Sequence, residues 1–496
     1  MNITANWWTA DDTAKRLRLA FLILFHTVVC CVSLVYVAQY EFMFHIFYDP
    51  ARLAAAVTVV AAFALVSYLF VVAEFSFGYF LGFYFYTMVL GYLWLNVFSD
   101  LNYDHRLSGL SAAASAITFL IPALLVSSPI RQFFTISAKA FDRLLTFSLA
   151  LAAATIAISA AYNFRFVSIG RIYEFRGGLE FPLLLNYWIG ITSNALLPFA
   201  FGCFAVRGNY WRAAIALVLL LLFYPITLSK LAFFTPAWLL VMTLLLKICE
   251  ARTTVVLSLF LPMLLGVILI AIFKMTAVPY LELVNFRMIA TPSNAMDIYN
   301  DFFSRNDLTY FCQIKILKTI VDCPYQEQLS LVMAKAYGLG NFNASLFSTE
   351  GIASVGPLFA PLSVFACGLV IALSNRLSSG LPPRLILISS AIFPQILLNV
   401  PLTTTMLSNG GAVLFLLWYL TPRSLFPQDT VHEASSRKAH VASSWATASL
   451  LTARVDHRCR PVRARSICAF ESASIFLARA TMPPATPTPS TYIHPS

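Results

Sequence analysis

Charge is what this chain has least of. Asp, Glu, Lys and Arg together supply 11% of its 496 residues, against 59% hydrophobic, and the mean hydropathy is +0.77. A soluble core of this size cannot bury that much apolar surface, so a bilayer is implied. Histidine is scarce too, with seven residues; His45 and His105, the two in outward loops, have no His or Cys at i+3 or i+4, which leaves no zinc or haem ligand set. The nine cysteines lack metal-ligand spacing. HExxH, GxGxxG and Walker patterns are missing, so neither metalloprotease chemistry nor nucleotide-driven transport has support. No cofactor and no metal is expected; energy must come from an activated substrate or a gradient.

What is present is a series of apolar runs near twenty residues long: Leu19 to Tyr40, Leu53 to Val72, Phe77 to Phe98, Leu110 to Val126, Leu144 to Tyr162, Pro182 to Val206, Ala213 to Thr227, Leu231 to Leu246, Thr254 to Phe273, Val355 to Leu373, Leu385 to Val400 and Gly410 to Tyr419. The expected fold is an all-α polytopic membrane protein of about twelve transmembrane helices, residues 1–422, with one long outward loop, about 274–354, before the last three spans. The first run is long and lacks a small-residue cleavage site, so it is expected to stay as an anchor.

Cations set the orientation. Lys15, Arg16 and Arg18 precede the first run, and Arg131, Lys139, Arg143, Arg207, Arg212, Lys247, Arg252, Arg376 and Arg384 fall at alternate loops. Both termini are therefore expected in the cytoplasm. The net charge of +11 is not a nucleic-acid signal: +5 of it lies from Arg423 onward, in a Ser-, Pro- and Arg-rich tail (423–496) expected to be disordered, and most of the rest is the positive-inside bias.

Two outward segments carry cations that orientation does not explain. In Asn163 to Phe181, Arg165, Arg171 and Arg176 alternate with Phe164, Phe166, Tyr173 and Phe175, beside Glu174 and Glu180. Guanidinium forks suit phosphate oxygens and aromatic faces suit sugars, so the composition fits an anionic glycolipid; an interfacial segment meeting lipid phosphates is the alternative. The long loop opens with a predicted short helix, Asn294 to Phe303, placing Asp297 and Asp301 one turn apart, with Arg287 and Arg305 flanking. One of these acids can serve as general base while the arginines hold a phosphate leaving group; a solvated, ion-paired face is the plainer reading. Lys230 interrupts two apolar runs in YPITLSKLAFFTPAWLL, as a substrate contact or as a snorkelling loop residue. Cys312 and Cys323, both outward, can close a local disulfide in an oxidising compartment.

The order of these pieces resembles the bacterial oligosaccharide repeat unit polymerases, the Wzy-type O-antigen polymerase class. The resemblance is carried by YNFRFVSIGRIYEFR, NYWIGITSNALLP, TLSKLAFFTP, FRMIATPSNAMDIYNDFF, GLGNFNASLFSTEGIASVGPLFAPLSVFACGLVIAL and LLNVPLTTTMLSNGGAVLFLL, covering roughly Ala161 to Leu420. It implies an integral-membrane glycosyltransferase of the bacterial inner membrane, joining polyprenyl-pyrophosphate-linked oligosaccharides on the periplasmic face, with a chain-length regulator and a flippase as partners. Arg165, Arg171, Arg176, Lys230, Arg287 and Arg305 would then contact pyrophosphate or glycan, Asn341 and Asn343 would shape the start of the tenth span, and Gly351 and Gly356 would allow close backbone approach. The base stays open among Glu174, Asp297 and Asp301. An O-antigen ligase shares donor and architecture, but its expected outer-loop His is missing from the long loop; a lipid-linked oligosaccharide flippase is the rival from another class, disfavoured by the lack of an internal repeat.

Overall fold

A bilayer offers no water to an exposed N–H or C=O, so a spanning chain must satisfy its backbone internally, and this one does so with helices. The computed structural model describes residues 10–41, 44–314, 317, 320–339 and 347–426, with no strand among them. The tail beyond 426 and Asn341 and Asn343 lie outside the described residues.

Among the described residues ten helices are long and apolar enough to cross a membrane, which makes this a multi-pass membrane protein. They begin with α1 (Ala10–Tyr40), α2 (Pro50–Val72), α3 (Phe77–Phe98), α4 (His105–Leu125) and α5 (Ala138–Ala160). There follow α6 (Leu183–Val206), α7 (Tyr210–Thr227), α8 (Lys230–Ile248) and α9 (Ala251–Phe273), which leads on through further helix to Phe303. Successive crossings reverse direction, so the C-terminal ends of α1, α3, α5, α7 and α9 share one end of the bundle with the N-terminal ends of α2, α4, α6 and α8.

The core is α3. It is apolar and aromatic on every side, and 89% of its most apolar stretch is buried, against 22% for α8, whose Leu240, Val241, Leu244 and Ile248 stay exposed as lipid-facing residues do. Helices α1, α2, α4 and α9 surround it, together with several elements later in the chain.

The segment expected as one outward loop divides in two. Its first thirty residues do not leave the bundle. After α9 the chain turns at Lys274 (φ 50°) and runs through Val278–Leu281 and a π-helical stretch, Glu282–Ala290, into α10 (Thr291–Phe303), every residue of which is buried. Sequence periodicity placed this helix correctly and its environment wrongly: the solvated face expected of Asp297 and Asp301 is absent, each residue being 1% exposed. Only residues from about 304 onward behave as a surface loop, carrying α11 (Leu329–Tyr337).

Next comes α12 (Ser348–Ser378), the tenth long helix, which breaks at Gly356 (φ 74°, ψ 171°). That backbone conformation is open essentially to glycine alone, and Pro357 follows it. The break folds Ser348–Val355 back so far that a Cβ on Gly351 would lie 2.5 Å from Ser363 Oγ. Close approach was expected at Gly351 and Gly356; it is found at Gly351, where the kink causes it, whereas a Cβ on Gly356 would meet only Leu308 Cδ1 at 3.8 Å and that glycine serves the kink through its φ.

The last two expected spans are not single long helices. Leu385 to Val400 forms α13 (Pro383–Ser389) and α14 (Phe393–Leu397), separated by a turn before Pro394, and α15 (Leu402–Leu407) and α16 (Gly411–Leu420) follow. Irregular backbone at membrane depth is tolerated only when surrounded by protein. Here Leu385–Phe393 is buried almost throughout, and Trp238 Nε1 and Trp418 Nε1 donate to Ala391 O and Ser389 Oγ, each at 3.0 Å.

Candidate functional site

At the end of the bundle where α3 stops and α4 begins, the polar string Ser99 to Arg106 packs against α10. Ser99 Oγ donates to Asp297 Oδ2 at 2.7 Å, and the Tyr103 hydroxyl donates to Asp297 Oδ1. One turn on, the Asn102 backbone N–H donates to Asp301 Oδ1 at 3.0 Å, the Tyr337 hydroxyl of α11 donates to Oδ2 at 2.6 Å, and Arg305 pairs with the same oxygen. A carboxylate taken out of water is expensive unless its oxygens are bonded, and all four oxygens here are.

The two acids differ in how firmly they are held. Asp301 is bound by a backbone N–H, a guanidinium and a phenol, which makes it an anchor for the surface loop. Asp297 is held by two hydroxyls, and Tyr103 has another acceptor ready, Asn96 Oδ1 at 2.9 Å. By turning to Asn96, Tyr103 frees one oxygen of Asp297 for an incoming hydroxyl. Burial pushes the Tyr103 phenol well above its ordinary range, with Tyr92 and Asp297 adding to the effect, so it stays a donor. Burial, reinforced by Asp301, does the same for Tyr337.

A second layer fixes the first. Asn96 Nδ2 donates to His105 O at 2.9 Å, while the His105 ring lies 3.0 Å from both Asn96 Oδ1 and Leu101 O. Both ring nitrogens thus face acceptors, of which a neutral ring can serve one. Ser108 Oγ donates to Asn300 Oδ1 at 3.0 Å, and Asn300 Nδ2 donates to the Tyr92 hydroxyl at 3.2 Å.

Sequence reasoning found Asp297, Asp301 and Arg305 and missed Asn96, Ser99, Asn102, Tyr103, His105 and Tyr337. The signal was present: SDLNYDHR is a polar string between two apolar runs. It lacks cations except at its end, and cations were the search criterion.

Of the remaining candidates, Arg165, Arg171, Glu174 and Lys230 belong to one neighbourhood away from this site. Asn163 Nδ2 donates to Pro225 O and Ile226 O, the Arg165 N–H donates to Pro225 O, and Ile172 packs with Tyr224 and Leu228. The segment Asn163 to Phe181 therefore sits on the turn leading to Lys230, as one unit. Its Arg171 pairs with Glu174 at 2.9 Å, both side chains exposed, and lies over the Phe175 ring at 5.6 Å. An exposed pair of this kind contributes little to stability, about 0–1 kcal/mol. Glu174 is thus paired and in water. Arg176 lies in the short helix Ile172–Arg176. Arg287 projects from the π-helical stretch and is exposed.

Cys312 and Cys323 form the expected disulfide, with Cα atoms 5.3 Å apart. It braces the surface loop where Gln313 Nε2 donates to Tyr325 O and Glu327 O, and Tyr325 packs tilted against Phe302 and edge-on to Phe303 of α10. Closing a loop of this length is worth about 3 kcal/mol in chain-entropy terms. Cys312→Ser is expected to speed amide exchange across residues 305–339, including the Tyr337 tether, by about a hundredfold, and to leave α3 and α4 unchanged. Equal loss of protection in the spans would show that the bridge stabilises the whole fold.

Among the described residues no cluster of three or more His, Cys, Asp or Glu side chains is placed to hold a metal ion. Comparison with protein-family models, with curated proteins and with solved structures finds no match to this chain.

Proposed function

We propose that this protein joins lipid-linked oligosaccharide repeat units at the outer face of the bacterial inner membrane, as a polysaccharide polymerase. The observation that carries the proposal is Asp297: a carboxylate desolvated at the end of a helical bundle, bonded by two hydroxyls and one turn from the Asp301–Arg305 pair.

In this reading Asp297 accepts the proton of an acceptor sugar hydroxyl as that oxygen attacks the anomeric carbon of the donor glycan. The bond from that carbon to polyprenyl pyrophosphate breaks, and the leaving group carries the electron pair. Arg305 and Arg287 offset its negative charge. Arg165, Arg171, Arg176 and Lys230 form a second basic unit at the same end, suited to the pyrophosphate or glycan of the other lipid-linked partner. The donor is already activated, so no nucleotide is needed. A disulfide in the surface loop accords with an oxidising, outward side.

Deleting the gene and resolving the surface polysaccharide by gel tests this. The expected result is a single repeat unit on lipid A core, with single-unit lipid carrier accumulating. An unchanged ladder would overturn it. One observation favours a second reading, ligation of finished glycan to lipid A core: His105 brings an outer histidine to the acidic pair, although the long loop contains none. Long chains stranded on the lipid carrier would decide for the ligase.

A further inference from the structure

The opposite end of the bundle has a feature that glycan chemistry does not use. Between the N-terminal half of α5 and the first turn of α7 lies an open groove of about 380 Å³, lined by Asp142, Arg143, Thr146, Phe147, Ala150 and Arg212. Its wall is formed by Thr146, Phe147 and Ala150, with Phe147 61% exposed. Its rim is cationic.

Asp142 offsets only part of that charge: its Oδ1 accepts from Arg207 Nη1 at 2.5 Å and its field also reaches Arg212, so one carboxylate stands among Arg143, Arg207 and Arg212. The guanidiniums of Arg143 and Arg212 remain exposed at the mouth, with Arg212 lying over the Phe204 ring at 5.8 Å and Lys247 over Tyr210 at 5.7 Å. Set against the Phe204 ring, the Arg212 guanidinium keeps its outer edge free to donate, and Arg143 lines the same groove as a second planar donor for one phosphate.

We infer that this groove is a binding site for an anionic phospholipid, its phosphate held by Arg143 and Arg212 and an acyl chain lying along Phe147 and Ala150. An interfacial cation attracts anionic lipid strongly enough that two together predict about a thirty-fold preference over a zwitterionic headgroup. A soluble phosphate would find the arginines but leave the apolar wall bare, so the geometry favours the lipid. The site is independent of the proposed glycosyl transfer.

Native mass spectrometry of the full-length protein, titrated with dioleoyl-phosphatidylglycerol or dioleoyl-phosphatidylcholine, reads this preference directly. Wild type is expected to retain phosphatidylglycerol about thirty-fold better. The double variant Arg143→Gln/Arg212→Gln should lose at least about tenfold of that, and Arg52→Gln, an exposed cation at the other end, should lose none. Thr146→Trp leaves every charge in place and fills the groove, so it should also lose retention, and it carries the test if the double variant unfolds. Retention of phosphatidylglycerol by a folded double variant, equal retention of the two lipids by wild type, or displacement of phosphatidylglycerol by equimolar inorganic phosphate would each overturn the inference.

Discussion

Asp297→Asn is expected to reduce polymer formation by about 10²–10⁴-fold, the usual contribution of a positioned general base, while the bundle stays folded. The substitution keeps size and shape. Its amide oxygen can still accept from Ser99 Oγ, and Tyr103 can turn to Asn96 Oδ1 at 2.9 Å, so the loss in stability should stay near 1 kcal/mol. An amide cannot take a proton from an acceptor hydroxyl. The assay is polymer length on the gel at matched membrane levels, with thermal unfolding of the purified variant alongside. Full-length polymer in Asp297→Asn cells would reduce the residue to a structural tie between α3 and α10. Asp301→Asn should behave differently: Arg305, Tyr337 and the Asn102 N–H all depend on that carboxylate, so its loss is expected to loosen the surface loop first.

How much of this was legible in the sequence depended on whether the signal was local. Hydropathy located the first nine long helices to within a turn or so at most ends, because a bilayer imposes length and apolarity on each span separately. Helix α10 was also legible, since Pro292 and the amphipathic run after it are local signals. Its burial was not, because polar residues such as Asn285, Ser293 and Asn300 read as loop until their partners are known: Ser33, Met88 O and Tyr92, between about 200 and 250 positions away. The break in the eleventh expected span went unseen for a related reason. Leu385 to Val400 is uniformly apolar, and what permits the turn inside it is enclosure by neighbouring helices. At the site, charge led to the two acids, but hydroxyl and amide donors bring no charge to search for. Tyr103 and Asn96 became visible only when α3 and α10 were placed side by side.

The largest expected loss of stability lies at Asn375, far from any catalytic candidate. Its Oδ1 accepts from the Gly78 N–H and its Nδ2 donates to Ala123 O, both at 2.7 Å, so one amide joins the start of α3, the end of α4 and the end of α12. Interhelical side-chain bonds in membrane proteins average only about 0.6 kcal/mol, because a chain unfolded within the membrane finds other partners. Asn375 differs in that its partners are backbone groups at helix ends, which have no bond of their own to fall back on. Asn375→Leu strands both, and unmatched buried groups cost about 1–3 kcal/mol each, so the expected loss is about 2–5 kcal/mol. Gly78→Ala strikes the same joint sterically: its Cβ would lie 2.1 Å from Ala123 O, a backbone atom, forcing α3 and α4 apart. Because the two substitutions break one shared joint, the double variant should be little worse than Gly78→Ala alone. Thermal unfolding of the four proteins in one detergent measures this. Additive losses would mean that Asn375 and Gly78 stabilise separate contacts, and the three helices would then be held by apolar packing alone.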